Sequence, residues 1–295
     1  MRENTESNGD QIHFNTIAKQ GDNVRRAGDD VAKGATILTK GTRITPAIIG
    51  LMASMGVAQC QVIRKPKVAI FSTGDELVSL GQPLGPGQIY DSNRYSLNAM
   101  LARSGVEVID LGVLKDDAAL IEDAIARAVA QADMLLTSGG VSVGDADFVA
   151  QTLDRLGKID FWRIAMKPGK PLAFGKIQTC LFFGLPGNPV SVMATYYQFA
   201  RLALSKLAGE SHCDAFRFTV PCGNDLKKDA GRTDFQRGIL RKDEDGQWKV
   251  YSTGLQGSHV LSSMVQANCF VILPRESGNI AKGTLVDVEP FYGPV

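Results

Sequence analysis

Between residues 65 and 207, short apolar runs alternate with longer helix-compatible stretches, and no other feature restricts the fold of this chain as much. The run Val68-Ala69-Ile70-Phe71-Ser72 is apolar at four successive positions and so on both sides of its pleat, the mark of a strand buried on both faces. Similar runs occupy 106–111, 134–137, 161–166 and 180–184. Helical patterns fill the intervals 93–104, 117–131 and 146–156, and a long amphipathic stretch follows at 189–207. Gly105 stops the first of these helices, and Asp116 or Asp117 caps the second. Alternation of this kind predicts an α/β domain over 65–208. Its parallel sheet is flanked by helices, and ligands bind beyond the carboxyl ends of the strands.

The flanks read differently. Beyond residue 209 the helical signals nearly cease. Strand patterns at 216–221, 235–241, 248–253, 269–273 and 285–289 predict a small C-terminal β domain over 209–295. Residues 1–28 are polar with one alternating piece at 11–14, too little for a domain. Residues 29–64 carry turn and strand signals around Gly34 and Gly41. A short helix then starts at Thr45-Pro46, as cap and first position, and ends at Gly56. The expectation here is an incomplete N-terminal β-rich region.

Charge narrows the list of partners. Lys plus Arg is 32 against 31 Asp plus Glu, a net +1, so no global field draws nucleic acid or an anionic membrane. The five cysteines form no Cys-x-x-Cys pair and are odd in number, which predicts free thiols. No apolar stretch approaches the roughly 18 residues of a membrane span, and the N-terminus lacks a signal-peptide core. A cytoplasmic protein without membrane or nucleic-acid partners is the expectation.

Several loops after these strands hold chemically useful groups. Ser72-Thr73-Gly74-Asp75-Glu76 is a glycine turn with two acids, either solvated or part of a site. Lys115-Asp116-Asp117 offers acids that also suit a helix cap. The stretch from Thr137 through Ser138, Gly139, Gly140, Val141, Ser142, Val143, Gly144, Asp145 and Ala146 to Asp147 joins a buried strand to a helix start. Its exposed backbone amides suit a phosphate. Acids next to a phosphate repel it unless a cation lies between, and Mg²⁺ commonly uses one or two carboxylates plus substrate phosphates. Met166-Lys167-Pro168-Gly169-Lys170-Pro171 fixes two lysines in a proline-stiffened loop, suited to an oxyanion. Leu185-Pro186-Gly187-Asn188-Pro189 opens the long helix, with Asn188 as cap. Together these loops predict metal-assisted chemistry on a phosphorylated ligand with an anionic second substrate. His13, His212 and His259 share no metal-ligand spacing. Walker-type and Rossmann fingerprints are absent.

In this order the loops resemble those of the molybdopterin molybdenumtransferase family, which includes the E domain of gephyrin. The segments that carry the resemblance are 71–77, Gln88-Ile89-Tyr90-Asp91-Ser92-Asn93, 139–147, Lys167-Pro168-Gly169-Lys170-Pro171, Leu185-Pro186-Gly187-Asn188-Pro189 and Gly257-Ser258-His259. The resemblance implies insertion of molybdenum, supplied as molybdate, into adenylylated molybdopterin, with release of AMP and assistance from Mg²⁺. Glu76, Asp116 and Asp147 then correspond to active-site acids, with Glu76 and Asp147 on the metal. Lys167 and Lys170, with Arg163, correspond to groups for molybdate or the pterin phosphates. Thr73, Asp75, Gly139, Gly140, Ser142, Gly144, Pro186, Gly187 and Asn188 line the substrate cradle. Arg237 and Ser258 belong to the C-terminal domain that closes over the site. A homodimer and other cofactor-assembly proteins are the implied partners.

The family's Ser-Ala-Met-Asp-Gly-Tyr-Ala type motif is absent, which predicts a chain lacking part of the family's N-terminal region. Residues 1–28 then correspond to the end of an elongated domain and 29–64 to part of a linking domain. A pterin-binding or dimerisation module without catalysis is the alternative this raises. Molybdopterin adenylyltransferase and the competence-damage-inducible proteins share the glycine-rich loop. The C-terminal β domain and Lys167-Pro168-Gly169-Lys170 argue against both.

Overall fold

The computed structural model describes all residues except 1, 18, 141–148, 150, 151, 153–156, 212 and 292–295. The expected helix at 146–156 therefore lies outside the described residues, apart from Val149 and Thr152. The chain forms two units, Met1–Thr42 and Arg43–Val295.

In the first unit, β1 (Thr5–Asn8) and β2 (Gln11–Phe14) form an antiparallel hairpin, with Thr5 opposite Phe14. The sequence pattern showed only β2, because the residues of β1 are all polar. Nothing in 29–64 is a strand, although strand signals were read there. A strand needs a paired neighbour, and no described segment pairs with this one.

The second unit starts with α1 (Pro46–Ser54), capped by Thr45, whose hydroxyl accepts from the Ile48 amide. Next come β3 (Lys67–Thr73), β4 (Leu77–Val78), β5 (Ile89–Tyr90), α2 (Asn93–Arg103), β6 (Glu107–Leu114), α3 (Ala118–Gln131) and β7 (Met134–Ser138). Then follow β8 (Lys158–Arg163), β9 (Met166–Lys167), β10 (Pro171–Ile177) and β11 (Cys180–Leu185). After β11 a helix runs as α4 (Pro189–Thr195), a π-helical turn at Tyr196–Ala200, and α5 (Arg201–Leu207).

The sheet order is β6-β3-β7-β11-β10-β8. The first four strands are parallel, as expected. β10 alone corrects the all-parallel expectation: it runs antiparallel to both β11 and β8, so β8 shares the direction of the first four. β10 pairs with β11 through a tight hairpin at Gln178-Thr179, where Gln178 sits at φ 54°. That turn contains neither glycine nor asparagine, so it carries no hairpin signal at the level of sequence. Because β10 runs in reverse, it starts at the edge where its neighbours end. Loop 164–170 is thereby placed at the carboxyl edge of the parallel strands.

The sheet is covered on both sides. Val68 and Ile70 of β3 face a core with Leu97 and Leu101 of α2 and with Val190, Val192 and Tyr196 of the long helix. Ala69 and Phe71, one residue out of step, face Ile121, Ala124, Ile125 and Ala128 of α3. All of these side chains are buried, and each large one contributes about 1.5–3 kcal/mol.

The C-terminal sheet comprises β12 (Phe218–Pro221), β13 (Thr233–Lys242), β14 (Trp248–Ser252), β15 (Cys269–Leu273) and β16 (Leu285–Pro290), ordered β12-β16-β15-β13-β14; α6 (Ser262–Gln266) precedes β15. A bridge from Cys222 to Val250 brings the two edges together around Val220, Val271, Leu273 and Val288. Two links tie this domain to the α/β domain. β9 pairs in parallel with β13, setting Lys167 beside Asp234. Glu289, 1% exposed, accepts from Gln198 at 3.1 Å and from Arg201 and Arg217 at 3.0 Å each.

Candidate active site at the carboxyl edge of the sheet

Three groups of loops lie along this edge. The first is acidic. β3 ends in Thr73, and Asp75 and Glu76 follow in the next turn. The Asp116 amide, just beyond β6, donates to Asp75 Oδ1 at 3.3 Å, and the Gly74 amide donates to Leu114 O at 3.4 Å. The Asp116 carboxyl is pushed up, by burial first and then by the charges of Asp75 and Glu76. These acids thus share one corner. Among the described residues, no three acids, histidines or cysteines converge closely enough to hold a metal ion alone.

Next to this corner is the glycine turn after β7. Gly139 (φ +88°) and Gly140 (φ +66°) occupy the left-handed region. A Cβ on Gly139 would lie 2.5 Å from Thr73 O, and one on Gly140 would lie 2.5 Å from Val149 Cγ2 and 2.9 Å from Thr73 Oγ1. Only glycine lets this turn press against β3. Ser142, Gly144 and Asp147 lie outside the described residues.

The second group is the turn Pro186-Gly187-Asn188. The Gly139 amide donates to Leu185 O, tying the two loops together. Asn188 occupies the cap position of α4, but its side chain makes no capping hydrogen bond. The capping expectation therefore holds for position only. From the C-terminal domain, Ser258 reaches this point: its carbonyl accepts from the Val190 amide at 3.0 Å.

Asn93, for which the sequence suggested no role, clamps the end of β7, just before the glycine turn, to the Pro186-Gly187-Asn188 turn. Its Nδ2 donates to Ser138 Oγ at 2.8 Å and to Gly187 O at 2.6 Å. Its Oδ1 has no partner among the described residues, nor do the buried hydroxyls of Ser72, Thr73 and Thr137. These orphaned oxygens lie at or near the ends of β3 and β7, where each unmet hydrogen bond costs about 1–3 kcal/mol. The signal was in the sequence as Asp91-Ser92-Asn93, but a polar residue at a helix start is ordinarily read as a cap.

The third group is basic. Arg163 ends β8 and is exposed. Lys170 is exposed and its carbonyl accepts from the Ile164 amide. Lys167 is 39% exposed and lies 3.8 Å from the exposed Asp229. Lys167 and Pro168 line a cavity of about 640 Å³ together with Asp234, Arg237, Gln256 and Gly257. Arg237 is 1% exposed, and its guanidinium donates to Ser263 Oγ, Leu255 O and Gly257 O. Burial lowers its pKa to about 10, against the opposing pull of Asp234. It therefore shapes the loop that carries Ser258. Gln256 completes that loop by accepting from the Arg237 amide and donating to its carbonyl.

Comparison with known proteins matches three stretches of the chain to described families. Residues 69–206 match a family described as "Probable molybdopterin binding domain", 219–291 the MoeA C-terminal region (domain IV), and 1–56 the MoeA N-terminal region (domain I and II). The molybdopterin molybdenumtransferase of Haemophilus influenzae is 46% identical over 99% of this chain and 72% of its own length. That of Nostoc sp. is 37% identical over 96% of this chain and 66% of its own. The crystal structure of the molybdopterin biosynthesis MoeA protein from Pyrococcus horikoshii superposes with TM-score 0.79 at 31% identity, covering 99% of this chain and 71% of that one. The chain thus spans roughly two thirds to three quarters of the length of these relatives.

Proposed function

The chain belongs to the molybdopterin molybdenumtransferase family of enzymes, and on that premise we propose that it inserts molybdenum from molybdate into adenylylated molybdopterin, releasing AMP with the help of Mg²⁺. One observation carries this reading: the acidic corner of Asp75, Glu76 and Asp116 adjoins the Gly139–Gly140 turn at one sheet edge.

In this reading the backbone of the glycine turn receives a phosphate of the substrate, and Thr73 Oγ1, unpartnered beside it, gains a hydrogen bond. The acids supply hard oxygen donors, which suit Mg²⁺. Too few converge to hold the ion without substrate phosphates and water, which is its common mode. When bound, the ion offsets negative charge on the phosphates and the leaving group. Glu76 is the assigned ligand from the described acids, with Asp147 as the second. Asp75 and Asp116 shape the surrounding field. Lys167 and Lys170, with Arg163 at the rim, hold molybdate as the oxyanion substrate. Arg237 and Gln256 hold the loop that brings Ser258 to the edge. The proposed working form is a cytoplasmic homodimer. No helix among the described residues is long and apolar enough to cross a membrane.

The test is molybdate-dependent AMP release from adenylylated molybdopterin by the purified chain with Mg²⁺. Turnover that is lost in Asp147→Asn and Lys167→Ala is the expected result. Normal turnover in both variants would refute the site assignment. Pterin binding without AMP release would instead favour a binding module.

A further inference from the structure

The cavity beside the β9–β13 pairing contains a group that neither the acidic corner nor the lysines account for. Asp234 lies in the middle of the site's wall, 2% exposed, on the strand position beside Lys167. Its Oδ2 accepts from Gln236 Nε2 at 3.3 Å, and that same nitrogen is held by Lys227 O at 2.8 Å. Its Oδ1 has no partner among the described residues. Arg237 attracts Asp234 through space, but its guanidinium hydrogen bonds go to Ser263, Leu255 and Gly257. Lys167 points its ammonium at Asp229, on the exposed side.

A carboxyl oxygen buried beside a cavity of about 640 Å³ without a donor is costly, and a ligand that supplies the donor recovers that cost. The donor must meet two conditions. A bare cation is disfavoured, because Lys167 and Arg237 flank the site with positive charge. An anion is disfavoured by Asp234 itself. A neutral N–H meets both, while the lysine-bearing rim takes an anionic group on the same ligand.

We propose that Asp234 accepts a hydrogen bond from the exocyclic amino group of a nitrogen heterocycle seated in this cavity, and so selects amino-bearing over oxo-bearing rings. This rests on the proposed function, whose substrate carries such an amine at both its pterin and its adenine end. Asp234 is thereby assigned as a specificity-determining residue. The gain belongs to recognition: a site built to receive an N–H rejects the analogue that presents an oxygen lone pair instead.

Two ligand pairs test this with the full chain by equilibrium titration. 6-Hydroxymethylpterin is compared with 6-hydroxymethyllumazine, and AMP with inosine 5′-monophosphate; each pair exchanges an amino for an oxo group. The wild-type chain should favour the amino member of one pair by about tenfold or more. Asp234→Asn, which preserves shape, should reduce that preference to about twofold or less, while Asp229→Asn leaves it unchanged. Loss confined to the pterin pair places the pterin end in the cavity, and loss confined to the AMP pair places the adenine end there. Either result supports the proposal. A wild-type chain without preference in both pairs overturns it, even if the variant fails to fold, and so does a preference that survives in Asp234→Asn. If AMP release proceeds under any of these overturning results, the proposed function stands and only the assignment of Asp234 falls.

Discussion

Gly139→Ala tests the contact that holds the glycine turn against β3. Two costs add. An L-residue at φ +88° pays about 1–2 kcal/mol for the left-handed region. The new methyl would sit 2.5 Å from the carbonyl oxygen of Thr73, a backbone atom of β3 that no side-chain rotation can relieve; Thr73 itself pairs with Leu114 of β6. Forcing a shift of that kind costs about 1–3 kcal/mol more. The sum, about 2–5 kcal/mol, is read by urea unfolding as a lower midpoint at unchanged slope. The displaced turn also moves away from Thr73 and the adjoining Asp75 and Glu76, so AMP release should fall at least as much as stability. Gly140→Ala offers an internal comparison, since its closest contacts are side-chain atoms of Val149 and Thr73. A Gly139→Ala protein within about 0.5 kcal/mol of the wild type would show that the turn does not rest on β3, and the reasoning would fail.

Other perturbations probe separate parts of the structure. Asn93→Ala removes the donors to Ser138 and Gly187 and should cost about 1–3 kcal/mol in thermal unfolding, with slower AMP release; an unchanged Tm would show the clamp to be idle. Glu289→Ala leaves Gln198, Arg201 and Arg217 without their shared acceptor and should cost about 2–4 kcal/mol, with the C-terminal domain becoming sensitive to limited proteolysis first. The Arg64 guanidinium holds the Asp133 carboxyl below its ordinary value, aided by the Lys67 amide. A depressed carboxyl contributes stability above its unfolded pKa of about 3.9 and loses it as pH falls through the folded value. Arg64→Ala should therefore shift acid unfolding, followed by circular dichroism, to higher pH, with little change at neutrality beyond the loss of the pair itself.

What the sequence revealed followed from repetition and burial. β3 and β7 stood out by their unbroken apolar runs and α3 by its apolar buried stripe, and Asp117 caps α3 by accepting from the Ala119 and Leu120 amides. β10 did not, because its direction depends on a hairpin that lacks the usual turn residues. The predicted strand at 161–166 proved to be two, β8 and β9, since its last residues leave one sheet and join another. The edge loops were legible from glycine spacing and paired acids. The roles of Asn93, Gln256 and Asp234 were not, because each acts on partners far away in sequence: Asn93 on Gly187, Gln256 on the main chain of Arg237, Asp234 beside Lys167. Arg237 was singled out, but its burial and its carbonyl partners appear only in three dimensions.

The hydrogen bond between the Val190 amide and the Ser258 carbonyl bears on discrimination among anions in a cell. A free helix start is an indiscriminate trap for inorganic phosphate and sulfate. Here Pro189 has no N–H, Val190 is bound to Ser258, and the Val192 amide returns to Asn188 O within the helix. The positive end of this helix is therefore largely spoken for before any solute arrives. Abundant small anions gain little by docking there, and a substrate that uses the neighbouring turn must be recognised by more than its charge.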